Sequence, residues 1–135
     1  VGKYVNLETD IFSVFASTQW KNEKINTYPN NFTITNNSGE FIRVTIIPSG
    51  AGINIASVSG VLIIDIFTFA GEGTKRPSTI ADKLDQYLVG KSINTINNNS
   101  TQFQGSSLSF VGIDTDNPSL FRSNYTISFN FYGTL

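Results

Sequence analysis

The sequence contains no cysteine, no histidine and no methionine. Without cysteine there are neither disulfides nor thiolate metal sites. Without histidine the commonest general base and the commonest metal ligand are both missing. Charge is scarce as well: 14% of residues are Asp, Glu, Lys or Arg, against about 25% in an average domain. The nine basic residues are scattered, so the clustered footprint that nucleic-acid affinity requires is absent. The longest apolar run, Val61–Ile64 continuing past Asp65, is too short to span a bilayer. Val1-Gly2-Lys3-Tyr4 offers no apolar h-region. The expectation is therefore cytoplasmic synthesis, with no membrane contact.

What is present is aromatic and neutral. Eleven Phe, five Tyr and one Trp can each bury a large area. Ser, Thr and Asn take the place of the missing charges. Such a surface costs little to desolvate, because no isolated ion must be stripped of water. That favours broad protein–protein contact. The 135 residues fit one domain, residues 1–135, with no internal repeat and no linker.

Periodicity gives the elements. Leu7, Ile11, Val14, Phe15 and Thr18 fall at helical spacing over about Asn6–Gln19, with Asn6 as the expected N-cap. Lys21–Asn31 reads as a loop and Phe32–Thr35 as a short strand. Glu40–Ile47 alternates and is expected to stop at Pro48. Ser57–Phe69 carries apolar residues on both faces, which implies that both are covered, in part by a neighbouring subunit. Pro77-Ser78 opens a helix with Ile80, Ala81, Leu84, Tyr87 and Leu88 on one stripe, and Gly90 closes it. Asn94–Ser100 reads as a loop or weak edge strand, before strands at about Ser106–Ile113 and Arg122–Tyr132. The predicted fold is α+β: a mainly antiparallel sheet flanked by two helices, in the order α-β-β-α-β-β.

Motifs with chemistry fail on spacing. Gly90-Lys91-Ser92 resembles the end of a phosphate loop, but Asp85 stands where its first Gly belongs. Gly50-Ala51-Gly52 and Gly71-Glu72-Gly73 lack the third glycine of a dinucleotide fingerprint. Asp114-Thr115-Asp116-Asn117-Pro118 begins like a calcium loop, yet Pro118, Ser119 and Tyr125 occupy positions that need a ligand, a Gly and a Glu. Asp65 interrupts an apolar strand. An ion pair with Arg43 or Arg122 is favoured over catalysis, since no second acid lies close in sequence. No residue activates a serine. The expectation is a non-enzyme, with no cofactor and no metal.

Three passages resemble the tail terminator proteins of long-tailed, siphovirus-like bacteriophages. They are Phe41-Ile42-Arg43-Val44-Thr45-Ile46-Ile47-Pro48, then Gly60–Gly73 leading to Ile80-Ala81-Asp82-Lys83-Leu84, and Tyr125-Thr126-Ile127-Ser128-Phe129-Asn130-Phe131. The resemblance implies a tail-tube-like fold and a hexameric ring at the head-proximal end of the virion tail. That ring would cap the tail tube, stop its polymerisation and join it to the neck or head-completion protein. DNA would pass the bore without specific binding. Loops Ser49–Ala56 and Gly71–Arg76 are expected to meet neighbouring subunits or the tube, with Arg43, Ile53, Ile55, Glu72, Lys75, Arg76 and Arg122 as candidate interface residues. Two alternatives stand beside this reading. One is another neck or tail-tube subunit. The other is a monomeric carbohydrate- or peptide-binding module using exposed Trp20, Tyr28 and Tyr132.

Overall fold

The computed structural model describes residues 2–31, 39–51, 55–94 and 99–133. The expected strand at Phe32–Thr35 lies outside these residues, as does Ile53. Among the described residues the order is α1 (Lys3–Phe15), α2 (Thr18–Asn22), β1 (Thr27–Pro29), β2 (Phe41–Ala51), β3 (Val58–Phe69), α3 (Lys75–Leu88), β4 (Ser92–Ile93), β5 (Ser100–Ile113) and β6 (Leu120–Tyr132). The α+β class and the mainly antiparallel sheet are as expected. Two helices and four strands are not: a third helix and two short strands are added.

The single expected N-terminal helix is two. α1 begins at Lys3, because the Asn6 N–H reaches the Gly2 carbonyl at 3.1 Å, so Asn6 lies within the first turns and does not cap. The chain then breaks, and Ser17 caps α2 by accepting a hydrogen bond from the Trp20 N–H at 3.3 Å. The break swings Trp20 inward to 1% exposure. The expected loop after it contains β1, which pairs in parallel with Ile42–Val44.

The six strands form one sheet in the order β1-β2-β3-β6-β5-β4. β1–β2 is the parallel pair and the other four pairings are antiparallel. Pro48 does not end β2. The strand runs on to Ala51, with a register shift between Pro48 and Gly50. A proline in a strand removes a donor, and a bulge is where a sheet accommodates that loss. Opposite it stands Gly60, where an added Cβ would lie 2.2 Å from the Ile47 carbonyl oxygen. Gly60→Ala is therefore expected to cost about 1–3 kcal/mol by forcing β2 and β3 apart, measurable as a lowered denaturation midpoint. An unchanged midpoint would show that the strands can shift freely here.

One face of the sheet carries the core. Leu7, Ile11 and Phe15 of α1, Trp20 of α2, and Ile80, Leu84 and Leu88 of α3 pack on Ile42, Val44, Leu62, Ile64, Ile66, Phe103, Tyr125, Ile127, Phe129 and Phe131. Acids fasten the helices. Buried Asp10 of α1 accepts from the Thr101 hydroxyl at 2.8 Å. Asp85 of α3 accepts from the Tyr125 and Ser106 hydroxyls, each at 2.6 Å. Burial, and then the hydrogen bond to Asp85, raise the Tyr125 phenol above its ordinary range. Glu23, just after α2, accepts from Lys83 at 3.0 Å and from Tyr87 at 3.2 Å. The Lys83 hydrogen bond is the main cause that lowers the Glu23 pKa.

All three helices sit on that face. Among the described residues, helices therefore cover only one face of β3. Val61 and Ile63, on the second face, are only half-buried, sheltered by their strand neighbours and not by a helix.

Candidate interaction surface

The helix-free face is built from alternate residues of β2, β3, β6 and β5. Most are short and neutral: Thr45, Ser59, Asn124, Thr126, Ser128, Asn130, Ser107 and Ser109, with Val61 and Ile63 at the centre. The strands contain three charged residues in all, Arg43, Asp65 and Arg122. Strand parity brings all three to this face, and they meet there.

Arg43 sits opposite Asp65 in the β2–β3 register. Its Nη2 donates to Asp65 Oδ2 at 3.1 Å, and Arg122 Nη2 donates to Oδ1 at 3.1 Å. Both carboxylate oxygens are thereby taken, and the Asp65 side chain is only 7% exposed while the two guanidiniums are about one-third exposed. The cluster sums to one positive charge. It rests on an aromatic floor: the Arg43 and Arg122 guanidiniums lie 5.3 Å and 5.9 Å from the Phe67 ring centre, within cation–π range. Phe67 stacks on Phe41 at 4.5 Å, Tyr28 meets Phe41 edge-on, and Leu120 completes this second apolar cluster.

The expected interface residues do not form one patch. Glu72, Lys75 and Arg76 gather at the end of the sheet where β3 leaves and α3 begins. There, with Glu40, Phe69 and Thr79, they line an open cleft of about 460 Å³. The glycines of that turn, Gly71 and Gly73, have φ of 85° and 77°, which favours glycine over a residue with a Cβ. Arg76 pairs with Glu40 at 3.1 Å on the surface, whereas Glu72 and Lys75 make no ion pair among the described residues. Ile55 lies at the opposite end, before β3 starts, and is 79% exposed. Its carbonyl accepts from Lys3 Nζ at 3.1 Å. Ile55 and Glu72 therefore lie beyond opposite ends of β3. Arg43 and Arg122 lie between those ends on the helix-free face.

No family model and no curated protein sequence matches the chain. One solved structure superimposes with a TM-score of 0.67 over 96% of this chain and 95% of its own, at 13% identity. At that identity the likeness is one of fold. It spans the sheet and the helices together.

Sequence reasoning expected Asp65 to pair with Arg43 or Arg122; the structure gives it both, and the aromatic floor beneath them was missed. The signal was available, since Phe41 and Arg43 share parity, as do Asp65 and Phe67. The expected exposure of Trp20 is corrected. Trp20 is buried, with its indole N–H donating to Thr27 Oγ1 at 2.9 Å, and Tyr28 packs on Phe41. Both line a cleft of about 320 Å³ with Phe15 and Ile25, but Trp20 presents almost no surface to it. Among the described residues no group of three acids could hold a metal, and no helix is long and apolar enough to cross a membrane.

Proposed function

We propose that the chain is a structural, non-catalytic subunit that assembles with copies of itself. Its role would be that of a tail terminator: a ring of about six subunits capping a tail tube at the head-proximal end of a virion. The partners would be the tube protein on one side and a neck or head-completion protein on the other, with DNA crossing the bore without specific binding. The observation that carries the reading is the helix-free sheet face. A sheet with helices on one side only, whose other side is neutral and half-buried, suits a surface completed by assembly or turned toward a bore. Surfaces at both ends add support, because a subunit between a tube and a neck needs two axial contacts. The α+β class with a mainly antiparallel sheet is compatible with the tail-tube-like fold that this reading requires.

Purified protein at high micromolar concentration is expected to form closed rings of about six subunits by light scattering and electron microscopy, through a heterologous interface. A strictly monomeric mass, with no ring in the virion, would sink the reading. Unlimited tubes would point instead to a tube subunit. The binding-module alternative loses Trp20, its largest aromatic, to the core.

A further inference from the structure

We propose that the tip of the β5–β6 hairpin of one copy seats on the Arg43–Asp65–Arg122 face of another. This rests on the reading of the chain as a self-assembling subunit and adds where two copies meet. The receiving face carries one more positive charge than negative. Arg43 and Arg122 each spend one terminal nitrogen on Asp65, while their other N–H groups are free to donate. The buried Arg122 Nε also finds no partner among the described residues. Around the two arginines the face is neutral, and Phe69, on the same side of β3, is 42% exposed. A carboxylate arriving here meets two guanidinium forks with little else to desolvate.

The hairpin has the complementary character. No basic residue occurs between Lys91 and Arg122, so β5 and the turn after it carry acid charge only. Asp114 and Asp116 stand in that turn, which is closed by the Asp114 N–H donating to the Leu120 carbonyl at 2.9 Å. Neither carboxylate forms an ion pair among the described residues, although Arg122 of the same chain is close in sequence. The stem beneath them is apolar and unsheltered: Phe110 is 48% exposed, Val111 55% and Ile113 54%. β4 pairs only with Thr101 and Gln102 of β5, so the outer edge of β5 is unpaired along this stem among the described residues. An acidic tip on an apolar stem fits a cationic cluster on an aromatic floor. The two surfaces are different patches of one molecule, so a head-to-tail contact between them can close a ring.

The absence of cysteine makes the test clean. Thr115→Cys keeps both acids and marks the tip; Asn124→Cys marks the face beside Asp65. Mixed under mild oxidation, the two single variants are expected to yield a disulfide-linked pair containing one of each. Separately, Asp114→Lys with Asp116→Lys is expected to weaken assembly roughly tenfold or more while the melting temperature of the monomer stays unchanged. If the unaltered protein assembles but the mixture gives no such pair, or the double reversal leaves assembly intact, the docking is wrong and the self-assembly reading survives. If the unaltered protein stays monomeric, both fall.

Discussion

Trp20→Ala is expected to destabilise the chain by about 3–5 kcal/mol, the range for removing a buried indole. Trp20 is 1% exposed, and its ring meets Phe15 and Tyr87 edge-on, each at 5.2 Å. It thus joins the end of α1 to the C-terminal end of α3, through a helix of only five residues that could not hold itself together alone. The indole N–H donates to Thr27, which makes Trp20 also the anchor of β1. Chemical denaturation should show the loss directly. Trp20→Phe separates the contributions, because it keeps an aromatic body and loses the hydrogen bond, at a cost nearer about 1–2 kcal/mol. A loss below about 1 kcal/mol for the alanine variant would mean that α2 is an appendage and not part of the core.

The second large effect is at Asp65. Removing one partner of a buried ion pair costs about 3–5 kcal/mol, since a charge is left without compensation. Here the two guanidiniums left behind are about one-third exposed, so water can recover part of that loss. For Asp65→Ala we expect about 2–3 kcal/mol, with the two arginines repelling one another across the space of the lost carboxylate. Raised salt should narrow the gap to the unaltered protein by screening that repulsion. A loss insensitive to salt would assign the effect to packing against Phe67 instead.

Much of the fold was legible because its periods are strong. Tyr125, Ile127, Phe129 and Phe131 alternate with short polar residues, and all four are buried as that alternation requires. The α3 stripe of Ile80, Leu84 and Leu88 likewise lands in the core. What escaped was short or set by distant contacts. A three-residue parallel strand such as Thr27–Pro29 has no period to detect, and it exists because Asn26 and Asn30 bond to β2. β5 starts at Ser100, several residues before the expected strand, because β6 gives the polar run Ser100-Thr101-Gln102 a partner. Asp65 was visible as an anomaly in an apolar strand. Its two-armed clamp needed the register, which sets Arg43 directly opposite and Arg122 diagonally across. The hairpin acids were legible only as a failed calcium loop.

The strand order carries a consequence for how the chain is made. β6, the last described strand, lies in the interior of the sheet between β3 and β5, and all twelve residues of β3 pair with it. A ribosome releasing this chain produces β3, with its apolar Leu62, Ile64 and Ile66, more than fifty residues before its inner neighbour exists. Until Leu120–Tyr132 emerges, the two halves of the sheet cannot join. Pairings so distant in sequence are slow to form, since the intervening chain must be ordered before they reward it. During that interval the inner edge of β3 is open to any extended segment nearby. Native strand insertion then competes with aggregation, and the rate of C-terminal synthesis becomes a determinant of folded yield.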